Sequence, residues 1–140
     1  MEKKRTYCWT YFLVKINNTE KFKFKDFCER LELDFTEMLD WYIDDQVEIG
    51  FNTNYEVDVN DMLRETLKDL FGKEKILVEL AEKYDLEYFL ERVPTIVIDS
   101  NEPYPILSLD MDIVDFLHYT NTKDDLDLYA ISNDDRKTSD

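Results

Sequence analysis

Glycine, proline, cysteine and histidine are scarce in this chain of 140 residues, which contains two, three, two and one of them respectively. Average usage would give roughly ten glycines and seven prolines, so collagen-like, linker-like and low-complexity classes are excluded. Gly50 and Gly72 cannot supply a glycine-rich phosphate-binding loop. Long apolar runs are also missing, and no membrane-spanning helix is expected because no window approaches about 18 uninterrupted apolar residues.

The scarcity of histidine and cysteine also excludes most catalytic and metal-binding chemistries. Two cysteines and one histidine cannot make the usual four-ligand set of a structural zinc site without carboxylates. Cys28 and His118 are a conceivable nucleophile and base, but Cys28 falls on the apolar face of a predicted helix, which favours inert packing. The acidic runs that begin at Asp58 and Asp110 lack the central glycine of a calcium loop and are typical of helix caps. We therefore expect no catalytic residue, no metal and no cofactor.

Aromatic and acidic residues are abundant instead. Apolar residues make up 44% of the chain and aromatic residues 14%, which excludes intrinsic disorder. The formal net charge is −16, beyond the roughly 2–8 units that keep a small domain soluble. Residues 1–30 hold eight Lys or Arg and four Asp or Glu, a net of +4, so residues 31–140 carry −20. Such a field opposes phosphate binding, and no direct nucleic-acid contact is expected, although the basic stretch 21–25 interleaves lysine with phenylalanine.

The start of the chain and its cysteines indicate a cytoplasmic protein. Charged residues at positions 2–5 precede an apolar run over 7–16, which polar residues interrupt and no small-residue cleavage site follows. This pattern predicts a strand rather than a signal peptide. Cys8 and Cys28 both lie at apolar positions, as buried thiols do in a reducing compartment.

Hydrophobic periodicity divides the chain into strand and helix segments. The run over 7–16 is apolar on both alternating sets, which predicts a central strand. The clearest helix has Asp58 as its N-cap and ends at Gly72. Pro94 predicts that the strand around it is an edge or irregular strand. The predicted strands cover 7–16, 41–51 with a turn at Asp44 and Asp45, 86–99 and 126–131, and the predicted helices lie around 24–31, 59–71, 76–84 and 110–117.

This mixture of segments predicts an α+β fold. We expect a single domain over residues 1–132, with a four- to five-stranded antiparallel or mixed sheet and three to four helices mainly on one face. Residues 133–140 are expected to form a flexible acidic tail.

The order of the segments is similar to that of a bacterial family. The matching segments are 11–14 and 27–31 at the start of the chain, and 76–86, 96–98, 105–110, 113–117 and 126–129 in its second half. In these the chain resembles the family known as domain of unknown function four-two-seven-nine, over most of residues 7 to 131. Residues 33–36 lack the Pro-Thr that the family usually shows. The resemblance implies a small fold of alternating strands and helices in a bacterial or phage setting, and no known activity.

Two acidic clusters are the candidate binding surfaces. The first surrounds the predicted hairpin, and aromatic anchors ringed by charge are typical of binding hot spots. Its members are Asp40, Trp41, Tyr42, Asp44, Asp45 and Glu48. The second cluster is Asp124, Asp125 and Asp127. Both also fit an alternative in which the charges only keep sheet edges from pairing with other chains.

From these patterns we expect a small acidic, non-enzymatic protein that inhibits or neutralises a basic partner, such as a toxin, a nuclease or a nucleic-acid-binding enzyme. An immunity protein and a phage-encoded inhibitor of a defence enzyme, such as an anti-CRISPR protein, fit this hypothesis equally. An enzyme or small-ligand-binding protein with an unrecognised cleft, and a housekeeping module, are the alternatives. A strongly charged surface that serves solubility alone is a further alternative.

Overall fold

A computed structural model describes residues 7–54, 59–97 and 108–131. Within these ranges the strands are β1 (Tyr7–Ile16), β2 (Tyr42–Ile43), β3 (Gln46–Asn54), β4 (Leu86–Val97), β5 (Lys123–Leu126) and β6 (Tyr129–Ile131). The helices are α1 (Phe24–Arg30), α2 (Phe35–Met38), α3 (Val59–Leu67), α4 (Glu74–Tyr84) and α5 (Met111–Thr120), with a 3-10 turn at Leu39–Trp41. The α+β class is confirmed, with six strands and five α-helices in the described ranges, more than the sequence predicted.

The strands form one mixed sheet in the order β2-β3-β1-β4-β5, with β6 beside the far end of β4. β1 is antiparallel to both β3 and β4, whereas β5 and β6 run parallel to β4. The predictions of a central strand over 7–16 and of a hairpin that turns at Asp44 and Asp45 are therefore confirmed.

The strand around Pro94 is predicted to be an edge or an irregular strand, and the edge alternative is wrong because this strand lies inside the sheet. β4 pairs with β1 on one side and with β5 and β6 on the other. On that second side β5 pairs as far as Arg92, and β6 begins at Thr95. Pro94 thus falls opposite the interval between two strands, where a missing N–H interrupts no pairing on that side.

Three other details of the predicted elements differ in the structure. The predicted strand over 126–131 is two strands, β5 and β6, separated at residues 127–128. α3 ends at Leu67 rather than at residue 71, and a turn then leads to Gly72, whose φ is +88°. Asp110 occupies the N-cap position of α5, but its carboxylate pairs with Arg64 and makes no capping bond. The predicted N-cap Asp58 and the predicted tail 133–140 lie outside the described residues.

The helices and the core lie on one face of the sheet. Alternate residues of β1 are buried there, and the same core includes buried side chains of α1, α3, α4 and α5. The buried β1 residues are Cys8, Thr10, Phe12, Val14 and Ile16. The other set of β1 residues points to the opposite face, which we call the outer face, and these side chains are half-buried or exposed. Among the described residues, no helix has the length and apolar character needed to cross a bilayer.

Candidate functional site

The outer face of the sheet carries a row of aromatic side chains that no described helix covers. Trp9, Trp41 and Phe51 are 37%, 41% and 44% exposed, although large aromatic side chains are usually more deeply buried. Trp41 stacks on Phe51 with ring centroids 5.8 Å apart, and Phe51 lies 6.4 Å from Trp9 and 6.1 Å from Tyr11. Trp9 in turn contacts Tyr7 at 6.1 Å. These five residues are called the aromatic row below.

A β-bulge places Phe51 in the aromatic row. The pairing of β1 with β3 shifts register between Thr10 and Phe12, opposite Gly50. Gly50 has a φ of +71°, and a Cβ there would lie 2.0 Å from the backbone oxygen of Thr66, so this residue faces α3. Ile49, the residue before it, is buried. Because two consecutive residues face inward, the next side chain, Phe51, turns to the outer face.

The hairpin cluster borders the aromatic row at one edge of the sheet. A cavity of about 330 Å³ is formed there, and six of its seven lining residues are polar, acidic or aromatic. The lining consists of Asp40, Trp41, Ile43, Asp44, Asp45, Gln46 and Glu48. The structure therefore brings together five of the six residues predicted for this cluster.

Tyr42 is the exception in the hairpin cluster. Its ring stacks on Phe24 with centroids 4.4 Å apart and meets Phe22 edge-on at 5.8 Å, so it packs against the core. Alternation along the short strand explains this placement, because neighbouring side chains of a strand point to opposite faces. The prediction that Tyr42 is a surface anchor together with Trp41 is not supported by this packing.

The second cluster divides between the two faces of the sheet. Asp124 accepts two hydrogen bonds from Arg92, at 2.8 Å from Nε and 2.6 Å from Nη2, and the Arg92 side chain is only 5% exposed. Its charge is thus compensated by a buried guanidinium, although the Asp124 side chain is itself 32% exposed. Asp125 and Asp127 are exposed, and Asp125 pairs in register with Glu91 of β4.

Glu91 links the second cluster to the aromatic row. It lies between Tyr11 of β1 and Asp125 of β5 across the sheet. Burial, a hydrogen bond with Asp125 and the charges of Asp125 and Asp127 raise the pKa of Glu91 to about 7. Burial first, and then the charges of Glu91, Glu48 and Asp125, also raise the pKa of Tyr11. The aromatic row thus lies in a negative field that originates from both edges of the sheet.

The Lys123 side chain already places a cation on the outer face. The Lys123 ammonium lies 5.3 Å from the centroid of the Phe89 ring and 3.6 Å from a carboxylate oxygen of Glu87. An aromatic face and a carboxylate together attract a cation through the ring quadrupole and the charge.

A groove with a volume of about 490 Å³ runs along the outer face at the β6 end of the sheet. Its lining consists of Tyr7, Trp9, Tyr11, Val93, Thr95, Asp127 and Tyr129. The backbone N–H of Asp127 donates to the carbonyl oxygen of Arg92 at 2.9 Å, and the Tyr129 hydroxyl donates to the Asp127 carboxylate at 3.0 Å. The carboxylate is therefore held at one end of an aromatic-walled groove, which is called the aromatic groove below.

The nucleophile and metal candidates occupy unrelated places. Cys8 and Cys28 are free, buried thiols, and burial raises the pKa of each to about 11, which leaves them protonated and unreactive at neutral pH. His118 is exposed on α5. In the described ranges no group of three or more His, Cys, Asp or Glu side chains is arranged to hold a metal ion.

Sequence reasoning missed six residues of this surface. These are Tyr7, Trp9, Tyr11, Phe51, Glu91 and Tyr129. The sequence does contain a signal for this surface. Aromatic residues of β1 alternate with its core-facing residues, and such a second set must be either covered by another layer or exposed to water. The prediction of a central strand treats both sets as buried, and the bulge that exposes Phe51 depends on contact with α3.

No family model matches the chain, and neither the curated proteins nor the solved structures include a significant match. The resemblance to the domain of unknown function family therefore stays a prediction.

Proposed function

We propose that this protein binds and neutralises a basic protein through the outer face of its sheet. The observation that carries the proposal is the combination, on one face, of an exposed aromatic row with carboxylates at both edges of the sheet. Aromatic anchors supply contact area and carboxylates supply complementarity to lysine and arginine. The inhibition of a toxin or of a nucleic-acid-binding defence enzyme is the biological setting that this chemistry fits.

The distribution of the charge supports a protein partner rather than a nucleic acid. The exposed acids Asp125 and Asp127 face one side of the aromatic row, and the hairpin acids face the other, about three to four strand spacings or roughly 14–19 Å away. A phosphate backbone would be repelled from both edges. The free, buried thiols are consistent with a reducing, cytoplasmic setting.

A pair of double variants with the same change of charge tests the proposal. Glu48→Lys with Asp125→Lys reverses one carboxylate at each edge of the outer face. Glu82→Lys with Asp115→Lys changes exposed residues on the helical side by the same amount. The probe is a synthetic peptide of alternating glycine and arginine, and calorimetry at low salt measures its affinity for each protein.

The proposal predicts that the outer-face variant loses at least about tenfold in affinity, whereas the helical-side variant loses less than about threefold. Affinity of the unchanged protein is also expected to fall as salt rises towards about 1 M, where charges are screened beyond roughly 3 Å. Equal losses in the two variants would mean that only the bulk charge attracts the peptide. That result, or no binding by the unchanged protein, would overturn the proposal.

A further inference from the structure

We infer that the aromatic groove takes an arginine side chain of the basic partner. The inference rests on the proposed function, because it names the group that the outer face recognises. Its basis is the chemistry of the lining, in which aromatic rings form the walls and one carboxylate lies at the end.

The walls of the groove suit a flat cation. Trp9 and Tyr7 have ring centroids 6.1 Å apart with a 58° angle between their planes, and Tyr11 and Tyr129 also line the groove. Val93 and Thr95 are buried and form its floor. A guanidinium is planar and weakly hydrated, so it stacks on aromatic rings at less cost than the strongly hydrated ammonium of lysine.

The position of Asp127 suits the same group. Hydrogen bonds from the Tyr129 hydroxyl to its carboxylate and from its own backbone N–H to the Arg92 carbonyl fix its place at the groove. The hydrogen bond to Asp127 is also the largest cause that raises the pKa of Tyr129, so the phenol stays protonated and keeps donating. A fixed carboxylate beside stacked rings offers an arginine both a charge-assisted hydrogen bond and a surface for its plane.

The outer face also holds a lysine beside a ring and a carboxylate, outside the aromatic groove. Lys123 lies over Phe89 beside Glu87, in a shallow position with one ring. The aromatic groove has several rings and a volume of about 490 Å³, which exceeds what a single ammonium needs. The larger number of rings around the aromatic groove points to arginine, because a flat guanidinium stacks on them.

Peptides that differ only in the basic group test the inference. Alternating peptides of glycine with arginine, lysine or citrulline present a guanidinium, an ammonium or a neutral isostere of arginine. The unchanged protein is expected to bind the arginine peptide about tenfold more tightly than the lysine peptide, and the citrulline peptide least.

Two variants assign this preference to the groove, and two serve as controls. Trp9→Ala and Asp127→Asn are expected to bring the arginine and lysine affinities to within about twofold. Trp41→Ala and Asp125→Asn change the same residue types outside the groove and are expected to keep the preference. Asp127→Asn alters an exposed side chain, so it decides the question if Trp9→Ala does not fold. In a Trp41→Phe protein all tryptophan emission comes from Trp9, and the arginine peptide is expected to change it.

Each outcome separates this inference from the proposed function. Equal affinity of the unchanged protein for arginine and lysine peptides would overturn the groove as an arginine site while leaving the outer face as the binding surface. A preference that survives in both Trp9→Ala and Asp127→Asn would do the same. Failure to bind either basic peptide would overturn the proposed function itself.

Discussion

Asp124 and Asp125 are neighbours in the chain, yet their side chains have opposite environments. Asp124 makes two hydrogen bonds to the buried guanidinium of Arg92, whereas Asp125 is exposed on the outer face. Removal of Asp124 takes two charge-assisted hydrogen bonds from a buried guanidinium, and a hydrogen bond to a charged group contributes about 2 kcal/mol. We expect Asp124→Ala to lower the free energy of unfolding by about that amount and Asp125→Ala to change it by less than about 0.5 kcal/mol. Urea unfolding of both variants measures this difference, and equal stabilities would contradict the assigned roles.

Glu91 gives the stability a specific dependence on pH. Its pKa in the folded protein is about 7, mainly because of burial and then because of Asp125, so the folded state binds more protons than the unfolded state between about pH 4.5 and 7. This contribution is unfavourable above pH 7 and disappears as the pH falls below the unfolded pKa. Glu91→Gln is therefore expected to raise the free energy of unfolding more at about pH 8 than at about pH 5. Urea unfolding at both values tests the sign, and an equal effect at the two would show that Glu91 has an ordinary pKa.

At the scale of elements, the bulge in β3 controls which side chains reach the outer face. Gly50 has a positive φ, and a Cβ would lie 2.0 Å from the Thr66 oxygen, so Gly50→Ala must displace α3. Gly72 also has a positive φ, but a Cβ there would meet nothing within 4 Å. We expect Gly50→Ala to cost at least about 3 kcal/mol and Gly72→Ala about 1 kcal/mol, which is the backbone strain alone. Thermal or urea unfolding compares them, and similar costs would mean that contact with α3 does not hold the bulge.

Local patterns predicted elements better than they predicted neighbours. The central strand, the hairpin at Asp44 and Asp45 and the amphipathic helices follow from periodicity and turn chemistry, which act within a few residues. The position of Pro94 inside the sheet depends on the break between β5 and β6 at residues 127–128, which is more than 30 residues later in the chain. No local rule contains that information.

The candidate site was likewise predictable from the sequence only in part. Composition located the hairpin cluster, because its acids and Trp41 are close in sequence. Composition could not separate Asp124 from Asp125, since only the pairing with β4 shows which one faces Arg92. The aromatic row combines residues from β1, β3 and the 3-10 turn, and the register that brings them together is set by the bulge.

At the scale of the whole molecule, the net charge of −16 is unevenly distributed over the surface. Several ion pairs involve acids of the helical side, where Arg64 binds Asp61, Asp110 and Asp112 and Arg30 binds Glu79. The outer face instead concentrates carboxylates around exposed rings. Because exposed pairs contribute little to stability, we propose that this arrangement serves association.

The most direct test of this account is an NMR titration of the protein with the alternating glycine-arginine peptide. The chain has two tryptophans, Trp9 and Trp41, so the two indole N–H signals report on the outer face without further labelling. The account predicts that both indole signals and the backbone signals of Tyr11, Glu91 and Asp125 shift, while signals of α3, α4 and α5 stay in place. Shifts confined to the helices, with both indole signals unchanged, would contradict the claim that the outer face is the binding surface.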